Sequence, residues 1–165
     1  MVKEERSVFL NREYAEAVRY MDNAKEVLAR ARRDGSHYVD RKYVRMACGT
    51  AYLGVLIGIE AWLVAKDVDM PSKKKYKSIE FYEENVAKLD GKMLSYLNTA
   101  YNQLHLEGYY RTETSVKAIS AGFDAAYYII EKIKPDCPVE VRESRSDGFK
   151  RRLNMLLISA AVMFR

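Results

Sequence analysis

The richest chemical material in this chain lies in one run, Tyr101-Asn102-Gln103-Leu104-His105-Leu106-Glu107-Gly108-Tyr109-Tyr110-Arg111. It brings a titratable imidazole, side-chain amides, three tyrosines and an arginine to one helix-to-helix corner. Such a set can hold a phosphate, stack on a base or move a proton. His105 and Asn102 are therefore the candidates for catalysis, and Tyr101, Tyr109, Tyr110 and Arg111 the candidates for binding a ligand. The competing reading is structural: an imidazole and tyrosines at a bundle boundary, with apolar bodies buried and polar tips hydrogen-bonded.

Two further residues stand out by context. Glu60 is a carboxylate inside an apolar helical run, and if buried it needs a partner such as a Tyr hydroxyl or an Arg, or else a raised pKa. It is kept as a ligand-binding candidate, although a satisfied structural hydrogen bond explains it as well. His37 follows Arg32 and Arg33 in a turn and reads as an exposed turn residue. No Gly-rich phosphate loop, Gly-x-Ser-x-Gly elbow, His-Glu-x-x-His or Asp-rich calcium loop is present. Neither histidine has a Glu three residues before it, so the di-iron bundle pattern is missing too. Cys48 and Cys137 form no metal-ligand spacing, and no metal or cofactor is expected.

The elements that must position these residues are helices. Tyr14, Ala17, Val18, Met21, Ala24, Leu28 and Ala31 share one face of a first helix, expected from a cap at Asn11 to Gly35. Asp40 caps a second helix reaching about Lys66. Within it Ala47, Ala51, Gly54, Gly58, Ala61 and Ala65 recur at spacings of four and three, a small-residue stripe that admits a close neighbour. Val44, Cys48, Val55, Ile59 and Trp62 flank the stripe, as expected of a central bundle helix.

After a loop with Pro71 and a Lys-rich run, Ser78 is placed to cap a third helix, with a break at Asp90-Gly91. Helical period resumes to about Leu106, and Gly108 closes the segment. Thr112 or Thr114 opens the next helix, with Val116, Ile119, Phe123, Ala126, Tyr127, Ile130 and Ile133 inward and Pro135 at its end. Val139-Glu140-Val141 is too brief for a sheet, and a last helix is expected over about 147–165. The fold class is all-α: an antiparallel up-and-down bundle of four to five helices in one domain over 1–165, with its core at 11–133.

Composition agrees with a globular chain. The 165 residues are 48% hydrophobic and 31% charged, with only eight Gly and three Pro to interrupt helices. Twenty-eight cations against 23 anions give a net charge of +5, which permits but does not require an anionic partner. Lys/Arg clusters at Arg30/Arg32/Arg33, Arg41/Lys42/Arg45, Lys73/Lys74/Lys75/Lys77 and Lys150/Arg151/Arg152 fall at helix ends or linkers, where solvation and dipole complementation account for them. Acids near the N-terminus do not suit a secretory signal, and the expectation is a cytoplasmic protein with reduced thiols and no membrane association.

The helix order, the run Tyr52-Leu53-Gly54-Val55-Leu56-Ile57-Gly58-Ile59-Glu60-Ala61 and the Asn102-x-x-His105 corner followed by Tyr109-Tyr110 resemble the HEPN (higher-eukaryote and prokaryote nucleotide-binding) superfamily over roughly 11–133. The resemblance implies a helical bundle, often dimeric, whose active members are metal-independent ribonucleases using an Arg ahead of the His. Here the positions from which that Arg would reach His105 are Asn98, Thr99 and Ala100, none cationic. Arg32 and His37 have the spacing but sit on the wrong element. The expectation is a non-enzymatic binding or interaction module, homodimeric, with RNA or nucleotide as ligand. The alternatives are a ribonuclease using His105, and a structural partner of another protein docking through Lys73 to Lys77 and the last helix.

Overall fold

The computed structural model of the chain describes residues 3–71 and 77–135. Among these it is an all-α bundle: α1 (Lys3–Ala29), α2 (Arg41–Ala65), α3 (Ile79–Leu89), α4 (Gly91–Ala100), a π-helix (Tyr101–Tyr110) and α5 (Val116–Lys132). The last helix expected over 147–165, the Val139-Glu140-Val141 segment, Cys137 and Lys73 to Lys75 lie outside the described residues.

The first helix begins at Lys3 rather than near Asn11. Glu4 and Glu5 in its first turn complement the N-terminal dipole, so the helix needs no cap at Asn11. Asn11 lies buried in mid-helix, its Nδ2 donating to the Ser7 carbonyl oxygen at 2.9 Å. The helix also ends early, at Ala29. A hairpin of two-residue strands follows, β1 (Arg33–Asp34) in the stretch assigned to helix and β2 (His37–Tyr38) just beyond it, and Gly35 takes its left-handed φ of 55° in that hairpin's turn. A left-handed glycine ends helices and turns hairpins alike, which is why its role was misread.

In α2 the Asp40 carboxylate accepts from the Lys42 backbone N–H and caps the helix as expected. Ala47, Ala51, Gly54, Gly58 and Ala61 of the small-residue stripe are buried. α1 lies antiparallel against it, close enough that a Cβ on Gly54 would stand 3.0 Å from Tyr20 Cβ. An ion pair between Arg6 and Asp67 joins the start of α1 to the far end of α2. By length and composition α2 is long and apolar enough to cross a membrane, yet 56% of its most apolar window is buried among the other helices. Those positions belong to the core, with Met21, Ile59, Leu63, Met93, Leu97, Leu104, Ile119 and Ile129.

The break at Asp90 is an N-cap: extended backbone with a carboxylate accepting from the N–H groups of Lys92 and Met93. Ser78 occupies the equivalent place before α3 without a side-chain cap bond. Beyond Ala100 the helix does not stop near Leu106 but widens into π winding through Gly108, and Arg111 N–H closes it on the Leu106 carbonyl at 2.9 Å. Ser115, not Thr112 or Thr114, caps α5. Of the positions assigned inward on α5, Tyr127 is 40% exposed, and Ile129 is buried instead.

Candidate functional site

The π-helix is what assembles the site. Residues nine apart face opposite ways on an α-helix of 3.6 residues per turn. The wider i→i+5 winding, at roughly four and a half residues per turn, returns them to one side. Tyr101, His105 and Tyr110 thus share a face, with Tyr109 beside them. Ring centroids lie 5.4 Å apart for Tyr101–His105, 6.2 Å for His105–Tyr109 in nearly parallel planes, and 5.0 Å for His105–Tyr110 in an edge-on arrangement.

The opposite wall comes from α2. Tyr52 stacks on His105 at 4.6 Å, and the Arg45 guanidinium sits 5.4 Å from the Tyr109 ring centre. Arg45, Met46, Gly49, Tyr52, Leu53 and Leu56 share with His105 and Tyr109 a cleft of about 440 Å³. Two glycines allow this approach. A Cβ on Gly49 would stand 3.0 Å from Tyr109 Cδ2, and one on Gly108 would fall 2.4 Å from Cys48 Sγ. Cys48 is buried beneath that contact, and burial pushes its thiol pKa up to about 12.

Burial lowers the pKa of the His105 imidazole, favouring its neutral form. The Tyr52 hydroxyl is raised, first by burial and then by the neighbouring Tyr101 and Glu83. Among the described residues no carboxylate or cation hydrogen-bonds the His105 ring. Among the described residues the site offers His105 aromatic surface, with the Arg45 cation at the rim.

The sequence candidates divide accordingly. His105, Tyr101, Tyr109 and Tyr110 come together. Asn102 does not join them: it lines an open groove on another side with Asn98, Thr99 and Gln103. Arg111 is ion-paired with Glu107 at 2.5 Å one turn back and does not line the cleft. Glu60 lies farther along α2, half-buried, in a separate cleft with Phe9, Ile57 and Lys77. Its Oε1 accepts from the Tyr82 hydroxyl at 2.5 Å and its Oε2 from Lys77 Nζ at 2.6 Å. The Tyr82 pKa is raised, chiefly by burial and next by that bond. Glu60 thus has the tyrosine partner its setting demanded.

Arg45 and Tyr52 were the residues sequence reasoning missed as members of the site. They stand seven apart, two turns along one face of α2, a spacing that marked a shared outlook but not what lay opposite. No group of three or more His, Cys, Asp and Glu suited to a metal occurs among the described residues.

Residues 12–135 match the model of a family described as a domain of unknown function (DUF5618). No curated protein matches the chain. A solved structure, described as a protein of unknown function from Dyadobacter fermentans, is similar at 31% identity, with 75% of this chain and 94% of that chain covered and a TM-score of 0.65. The family match spans α2 and the π-helix and so contains every residue of the cleft. The chain belongs to the DUF5618 family.

Proposed function

We propose that this protein is a non-enzymatic, HEPN-like binding module that takes a nucleotide or single-stranded RNA at the π-helix cleft. The observation that carries the reading is the pairing of ring surfaces with a cation: His105, Tyr52 and Tyr109 around one opening, with Tyr110 edge-on behind His105 and Arg45 over Tyr109. Base-on-aromatic stacking contributes about 1–3 kcal/mol per base, and it does not depend on sequence. A guanidinium at the rim supplies a forked donor for a phosphate. Cleavage would need a cation beside the base for the developing phosphorane charge, and the positions that would carry it in the resemblance, Asn98, Thr99 and Ala100, are not cationic. The reading includes self-association through helix faces, which the exposure of Val8 on α1, outside the cleft, favours.

Fluorescence anisotropy with labelled single-stranded RNA over a salt series tests it. Saturable binding without cleavage is expected. Tyr109→Ala should weaken it by about 5- to 100-fold, and Arg45→Gln should reduce the salt slope by about one phosphate contact. Absence of saturable binding sinks the proposal. Cleavage that disappears in His105→Ala would replace it with the ribonuclease reading.

A further inference from the structure

We infer that the hairpin end of the bundle carries a second site, separate from the aromatic cleft, that binds a phosphate group between Lys25, Arg32 and Arg33. These three side chains line one pocket of about 210 Å³, closed by Leu28, Ala29 and Tyr38, and no carboxylate lines it. None of the three cations is held in an ion pair among the described residues. Three unneutralised cations around one small volume repel each other unless an anion joins them.

Two observations separate this pocket from an ordinary solvated helix end. The first concerns the guanidinium of Arg33, which is fixed before any ligand arrives. Its Nη2 donates to the Tyr38 hydroxyl at 3.1 Å, and its Cζ lies 5.2 Å from that ring's centre. Tyr38 is buried, and its backbone N–H donates to the Thr114 carbonyl at 2.8 Å, so the anchor is rigid. A pre-positioned Arg loses less freedom on binding and can present two N–H groups to a phosphate.

The second is that the cations are not needed to satisfy the end of α1. The carbonyls there are met by backbone: Arg30 N–H donates to Val27 O at 3.1 Å and Ala31 N–H to Leu28 O at 3.0 Å. The last turn of α1 contains no basic residue. Arg32 itself adopts a φ of 47°, a left-handed conformation that costs a non-glycine residue free energy and aims its side chain at the same pocket.

Side-chain Nε–Hε signals of Arg32 and Arg33 in ¹⁵N NMR, followed during titration with inorganic phosphate and with sodium chloride at matched ionic strength, test the inference. Saturable shifts with phosphate alone are expected. Arg33→Gln, and separately Arg32→Asn, which suits the left-handed backbone, should each weaken phosphate binding by roughly tenfold or more. Tyr38→Phe keeps the ring but frees the guanidinium, and should weaken binding less than either. A short single-stranded oligonucleotide that displaces phosphate identifies a nucleic-acid backbone as its source, whereas failure to displace it identifies a small phosphorylated molecule. Both results uphold the site. Linear, unsaturable shifts, or parent-like affinity in both arginine variants, overturn it. His105→Ala should bind phosphate as the parent does, so this site and the aromatic cleft stand or fall separately.

Discussion

At the scale of residues, His105 is held between rings, with Tyr52 across from it and Tyr101 below. Its depressed pKa has a consequence for stability. Between the lowered value and the ordinary one of about 6.5, the unfolded chain binds more protons than the folded one. Stability therefore rises with pH through that window and is lost as pH falls below about 6.5. Urea denaturation from pH 7 to pH 5 should show the midpoint falling more steeply in the parent than in His105→Gln. Parallel curves would show that His105 is not the group responsible. Of the residues singled out by type, the histidine and tyrosines could be identified in the sequence because they are dense in one short run. Asn102 and Arg111 were grouped with them by proximity in the chain, and a helix turns chain neighbours to different sides.

At the scale of elements, the π-helix and α2 meet at the closest contact of the site. A methyl added at Gly108 would fall on both Sγ and Cβ of Cys48, at 2.4 and 2.9 Å, where there is no flexible chain end to swing aside. Gly108→Ala should destabilise the fold by about 1–3 kcal/mol as an overpacked core position. Adding Cys48→Ala removes Sγ but keeps Cβ, so it should restore only part of that loss, measured by chemical denaturation. A Gly108→Ala chain as stable as the parent would mean that the two helices are farther apart than described. Asp40 marked a true helix start, and Asp90-Gly91 a true break, because a carboxylate cap is a local interaction between adjacent residues. Asn11, Gly35 and Thr114 misled for the converse reason: each has a local preference that more than one structure satisfies. The π winding was hidden because helical faces are read with a 3.6-residue period, and i→i+5 bonding shifts every later residue.

At the scale of the whole molecule, α1 leaves Val8 53% exposed, outside the aromatic cleft. If self-association covers it, light scattering should give twice the 19.1 kDa of one chain, and Val8→Glu should return it to a single-chain mass. A single-chain mass for the parent at every concentration refutes this. The sequence by itself determined that the chain is helical, that α2 is central, and which run is rich in rings. Those properties follow from periodicity and caps, which act over a few residues. Only the tertiary structure decided that Arg45 and Tyr52 face His105, that Tyr110 turns toward it, and that Lys25 meets Arg32 and Arg33 around one pocket. Those meetings depend on helix winding and on how closely glycines let two helices approach. Both are set by contacts between residues far apart in the chain, which no local pattern records.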